Sequence, residues 1–167
     1  MGFKNMAQTQ HPLTLTPRSS QSSPFVELQQ CLASRVTAIS PFLDQFMRFL
    51  KSFVNSFGDV RGTEVDIEIA LRQALANAVI HGNKEDLQKR VYVTSRCSMD
   101  GEVSITVRDE GQGFDGCELQ DRTDPNEGLL SHRWGIYLMQ AFMDDVYFEE
   151  NGRIVHMRKR LRRSLPM

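Results

Sequence analysis

No stretch of this sequence approaches the ~20 consecutive apolar residues of a membrane-spanning helix, so a span is not expected. Net charge is nearly absent as well. Lys and Arg number 20 against 21 Asp and Glu, leaving −1 at neutral pH, which gives no global attraction for nucleic acid or a membrane surface. Any partner must be recognised locally. Cysteine is scarce: Cys31, Cys97 and Cys117 are odd in number and far apart, which argues against a disulfide framework and against a Cys-x-x-Cys zinc site. A reducing, cytoplasmic compartment is the simplest reading. Met1 to Met6 offer no apolar signal-peptide core, and Met6 stands where a myristoylation pattern wants Ser or Thr. No internal repeat is visible. The basic run from Lys159 to Arg163 lacks aromatic interleaving and reads as a solvated edge rather than a nucleic-acid site.

What is present suits one compact domain. A chain of 167 residues with 40% hydrophobic side chains can bury a full core. Residues 1–24 are rich in Gln, Ser, Thr and Pro and read as a disordered tail, residues 25–160 as the domain, and residues 161–167 as a short basic tail. Phe25 to Leu32 fits an edge strand with Val26, Leu28 and Leu32 on one face. Phe42, Phe46, Leu50, Phe53 and Phe57 recur at helical spacing, so a helix is expected from about Ser40, as its cap, to Phe57, with Thr37 or Ser34 as alternative starts a turn earlier. A second helix from about Glu64 to His81 carries Ile67, Leu71, Ala74 and Ala78, with Thr63 and Asp66 as a variant capping box. A third is expected from Gly135 to Asp144. Two hairpins turn at Asp100-Gly101 and Asn151-Gly152. The expected fold class is α+β, a two-layer sandwich with a mixed, mostly antiparallel sheet and all helices on one face.

Two segments carry chemistry. Val103, Ile105 and Val107 alternate with polar residues up to Arg108, so Asp109 stands where a strand ends. In Asp109-Glu110-Gly111-Gln112-Gly113 the carboxylate can accept from an exocyclic amino group. Gly111 and Gly113 let the backbone turn and approach a planar ligand. Upstream, Gln73, Asn77 and His81 lie four apart on one helix face. The side-chain oxygen of Asn77 suits Mg²⁺, which takes oxygen ligands and completes its shell with water and phosphate. Between Asp115 and Arg133 there is charge and glycine but no periodicity, as in a functional loop.

In this order and spacing, the two segments resemble the N box and first glycine box of the ATP-binding superfamily of gyrase, heat-shock chaperones, histidine kinases and MutL (GHKL). Glu127-Gly128-Leu129-Leu130 and Arg133-Trp134-Gly135-Ile136 are similar to its second glycine box. Within the superfamily, Ala74 to Asn83 and Leu138 to Val146 look most like the small bacterial serine kinases that act as anti-sigma factors. The resemblance implies a Bergerat-type fold, ATP and Mg²⁺ as cofactors, and the loop as an ATP lid. Asp109 would read the adenine amino group and Asn77 would hold the metal. Gly111, Gly113, Gly128 and Gly135 would make room for the nucleotide, the start of a helix at Gly135 would favour the phosphates, and Arg133 would reach the γ-phosphate. Implied partners are a sigma factor and a small STAS-type antagonist phosphorylated on serine, with homodimerisation as an option and no direct nucleic-acid contact. The sequence departs from the family at one catalytic position: Gln73 stands where these kinases carry the general-base glutamate. A carboxamide orients a hydroxyl but cannot take its proton. The second functional class is therefore a catalytically silent, nucleotide-dependent binding module. A histidine-kinase catalytic fragment fits less well, because no dimerisation helix bearing a phosphoacceptor histidine precedes the domain.

Overall fold

The computed structural model describes residues 23–57, 62–113 and 132–161. Among these residues five strands form one sheet in the order β1-β2-β3-β5-β4: β1 Phe25–Ala33, β2 Arg90–Ser98, β3 Glu102–Arg108, β4 Asp145–Glu149 and β5 Ile154–Arg160. The expected mostly antiparallel sheet is observed, and each of its neighbouring strand pairs is antiparallel. Among the described residues β1 is an edge strand, paired only with β2.

Alternation decides the two faces. Val91, Val93, Ser95 and Cys97 on β2 are buried, as are Val103, Ile105 and Val107 opposite them on β3 and Val155 and Met157 on β5. Their neighbours Tyr92, Arg96, Arg108 and Arg158 face outward. Three helices cover the buried face: α1 Ile39–Val54, α2 Thr63–Ala76 and α3 His132–Phe142. The aromatic stripe of α1 does what its period implies. Phe42, Phe46 and Leu50 are buried, and Phe53 meets Phe57 in the following 3₁₀ turn at 4.9 Å between ring centroids. α2 lies centrally between α1 and α3. Ile67, Ala70, Leu71, Ala74 and Leu75 are all buried there, a wider apolar face than a one-sided surface helix needs.

Helix beginnings differ from the sequence expectation. α1 starts at Ile39 after a 3₁₀ turn at Val36–Ala38, with Ala38 rather than Ser40 at its N-cap. Thr63 is not a cap but the first residue of α2. Gly62, at φ 85°, takes the cap position, and its carbonyl accepts from the N–H groups of Val65 and Asp66. α3 begins no later than His132, so Gly135 lies inside the helix instead of at its start. The N-terminal tail to residue 22, the loop residues 114–131, including Gly128, and the basic tail from residue 162 lie outside the described residues.

Candidate functional site

The site is made where the end of α2 meets the end of β3. At Asn77 the α-helix widens into a π-helical turn, Asn77–Gly82, closed by the Asn83 N–H donating to the Ala78 carbonyl at 2.8 Å. Such widened turns concentrate at functional positions because they re-aim side chains without ending the helix. Gly82 then passes against Asp109. A Cβ on Gly82 would stand 2.5 Å from Cγ and Oδ2 of Asp109, so no larger residue fits beside that carboxylate. Gly111 is pressed equally hard onto the Gly82 carbonyl.

Asp109 is 6% exposed. Its N–H donates to the Arg153 carbonyl at 3.0 Å, which ties the end of β3 to the β4–β5 hairpin. Its Oδ1 accepts from the Gly111 N–H at 2.7 Å. Burial pushes its pKa above the ordinary carboxylate value, opposed by the Gly111 bond and by the charges of Arg153 and Lys89. A buried carboxylate in this condition favours a ligand that donates hydrogen bonds to it.

Asn83 holds these parts together, and sequence reasoning gave it no role. It is fully buried. Its Nδ2 donates to the Arg90 carbonyl and its Oδ1 accepts from the Glu110 N–H, both at 2.8 Å. The Glu110 carboxylate in turn accepts from the Arg90 N–H at 2.6 Å and the Tyr92 hydroxyl at 3.1 Å. Together these bonds fix the π-helical turn, the start of β2 and the glycine loop as one unit.

A cavity of about 260 Å³ opens above this junction. Ala74, Ala78, Val107, Met139, Phe148 and Val155 give it an apolar floor, while Asn77, His81, Lys84, Asp109 and Arg153 are its polar lining. Gly113, at φ 79°, also lines it, with a backbone that only glycine adopts easily and no room for a Cβ against the Asn151 carbonyl. The asparagine-glycine hairpin thus acts beyond its own strands, since its tip shapes the cavity wall.

Gly135 settles how α3 sits on α2. It is buried, and a Cβ there would lie 3.2 Å from both amide atoms of Asn77 and from Oε1 of Gln73. α3 therefore approaches the polar side of α2 closely, and Gly135 serves that approach. Among the described residues Asn77 Nδ2 has no hydrogen-bond partner, though it is buried. Of the residues singled out in the sequence, Asn77, His81, Asp109 and Gly113 line one cavity; Gly111 and Gly135 shape its walls by close packing. Gln73 is half-buried beside Asn77 and does not line the cavity, nor does Arg133 in the first turn of α3. Lys84, Arg153, Met139 and Phe148 come from segments that local spacing does not connect. Among the described residues no group of three His, Cys, Asp or Glu side chains gathers as a metal cluster.

The histidine kinase-like ATPase domain family matches residues 33–159, which holds every element from α1 to β4, β5 as far as Lys159, and every lining residue of the cavity. The chain belongs to this family. Membership of this ATPase family implies that ATP is the ligand of the domain. The chain is similar to proteins named anti-sigma F factor. That of Heyndrickxia coagulans is 35% identical over 101 residues, covering 56% of this chain and 67% of that protein. That of Clostridium perfringens (strain SM101 / Type A) is 35% identical over 103 residues, covering 58% and 71%. That of Bacillus subtilis (strain 168) is 29% identical over 120 residues, covering 68% and 80%. No helix among the described residues is long and apolar enough to cross a membrane.

Proposed function

We propose that this protein is a cytoplasmic, ATP-binding anti-sigma factor that phosphorylates a serine on a small antagonist protein and regulates transcription by switching partners. One observation carries the reading: Asn77 and Asp109, distant in sequence, line the same apolar-floored cavity in a histidine kinase-like ATPase domain. The similarity to anti-sigma F factors supplies the partner class.

In this reading Asp109 accepts the adenine amino group, and its desolvation makes that hydrogen bond stronger than it would be in water. The glycine loop lets the base lie against the backbone. Asn77 fits a metal role through the chemistry of its donor: one amide oxygen suffices for Mg²⁺ only where phosphate and water complete the shell. Bound Mg²⁺ would offset phosphate charge. The chain's own part is to hold the phosphates in place, which is most of what phosphoryl transfer requires.

Gln73 favours a second reading. With no carboxylate at this position, a bound serine is oriented but not deprotonated, and the protein becomes a nucleotide-dependent binding module. The two readings separate on the Gln73→Glu variant, assayed by transfer of radiolabelled phosphate to the cognate antagonist. The kinase reading expects slow transfer by the starting protein and a gain of roughly 10²–10⁴-fold in kcat for the variant, with ATP affinity nearly unchanged. A variant that binds ATP and antagonist yet stays as inert as the starting protein sinks it in favour of the binding module.

A further inference from the structure

Among the described residues that line the cavity, Lys84 is the one whose charge nothing accounts for. It lines the cavity together with Asn77 and Asp109, yet among the described residues it has no hydrogen-bond or ion-pair partner. The other lining residues differ. Arg153 is paired with Glu150, and His81 has a contact of its own. Nor is the Lys84 ammonium spent on Asp109, since the cations felt by that carboxylate are Arg153 and Lys89.

The backbone makes the side chain harder to dismiss as a bystander. Lys84 and Glu85 both take left-handed conformations, φ 55° and 54°. They close the π-helical turn, the Glu85 N–H donating to the Val79 carbonyl at 2.8 Å. Helix ends of this kind normally place glycine or asparagine at the left-handed position, because a Cβ there is strained. Here a long cationic side chain is kept at that position, beside a cavity. Strain of this sort is a pointer to function.

An ammonium offers three donors and no acceptor, and the lone buried carboxylate of the cavity offers only acceptors. A ligand serving both must present an N–H donor to Asp109 and anionic oxygens to Lys84. We propose that Lys84 is a phosphate-contacting residue of the nucleotide site, binding the anionic chain of a nucleoside di- or triphosphate whose base is read by Asp109. This rests on the ATP-binding reading above and adds to it a residue that sets discrimination by phosphate charge.

Calorimetric titration of the full chain with ATP, ADP and adenosine, for the starting protein and for Lys84→Met, Lys84→Arg and Lys84→Gly, tests the assignment. Lys84→Met is expected to weaken ATP about tenfold while leaving adenosine within about twofold, as removal of a charge-assisted contact requires. Lys84→Arg retains most of the ATP affinity. Lys84→Gly relieves the left-handed backbone and so raises the melting temperature, yet weakens ATP as Met does, which separates the contact from the fold. An unchanged ATP affinity in Lys84→Met, or an equal loss for ATP and adenosine as a ribose contact or a structural role would give, overturns the assignment while the ATP site itself stands. If the starting protein binds none of the three ligands, both the assignment and the ATP reading fall.

Discussion

The Gly82→Ala substitution adds one methyl group, and the structure gives its consequence in some detail. The new Cβ would lie 2.5 Å from Cγ and Oδ2 of Asp109 and 2.8 Å from Oδ1. Unstrained carbon contacts begin near 3.5 Å, so roughly 1 Å must be recovered by movement. Asp109 cannot simply withdraw. Its N–H is held by the Arg153 carbonyl, its Oδ1 by the Gly111 N–H, and Gly111 itself is wedged against Gly82. Either the carboxylate rotates and loses a hydrogen bond to a charged group, about 1.5–3 kcal/mol, or the π-helical turn lifts from the glycine loop, an overpacking cost of about 1–3 kcal/mol. A loss of about 3 kcal/mol lowers the melting temperature of a domain this size by roughly 6–12 °C. Both routes move the group proposed to read adenine, so ATP affinity should fall at least about tenfold in calorimetry. A variant that melts within about 2 °C of the starting protein and binds ATP unchanged would refute the argument that this close approach sets the site.

Asp109→Asn tests what burial does to the same carboxylate. Because the native pKa is raised, the folded state binds the proton more tightly than the unfolded chain does; the contribution is full below the ordinary carboxylate pKa and is lost as pH rises through the native value. The variant, with nothing to titrate, should therefore gain stability relative to the starting protein as pH rises from the ordinary carboxylate pKa through the higher native one, as read from denaturant midpoints, while ATP binding weakens. A stability difference that is flat with pH would contradict this. Asn83→Ala strands the Glu110 N–H and the Arg90 carbonyl, and chemical denaturation should show a loss of about 2–4 kcal/mol. A loss below about 1 kcal/mol would mean that water replaces both bonds and that Asn83 is no staple.

Periodic features were legible because periodicity is what packing selects. Phe42, Phe46 and Leu50 line one face of α1 at the spacing that buries them, and β2 and β3 alternate as a sheet covered on one side demands. The two glycine turns fix the hairpins, with Gly101 at φ 91° and Gly152 at φ 82°. Helix starts were less legible. Thr63 and Ser40 are good caps in composition, but Gly62 and a 3₁₀ turn supply the entry geometry instead. The π-helical turn leaves no trace in an apolar-polar pattern, since widening by one residue moves Asn77 and His81 without changing their neighbours. The role of Asn83 is invisible for a related reason: both its partners are backbone groups, at residues 90 and 110, and backbone groups have no sequence signature. Asp109 and Asn77 were readable as residue types at a spacing, but the burial that perturbs Asp109 depends on Gly82, Gly111 and Arg153 arriving from three segments.

The placement of Gln73 bears on how binding and transfer divide within this chain. It precedes Asn77 by about one helical turn, touches the same face of Gly135 and stays out of the cavity lining. A change of charge at residue 73 is thus offset from the proposed base pocket around Asp109 and from Lys84. Asn77 is different, since it both lines the cavity and shares the Gly135 contact with Gln73, so any change there should disturb nucleotide affinity and transfer together. The kinase reading consequently requires an asymmetry: substitutions at Asp109 act on affinity and those at Asn77 on affinity and transfer together, whereas Gln73→Glu acts on kcat alone. If Gln73→Glu altered ATP affinity as strongly as it altered transfer, residue 73 would be part of the nucleotide pocket, and the division of labour drawn from the geometry of Gly135 would be wrong.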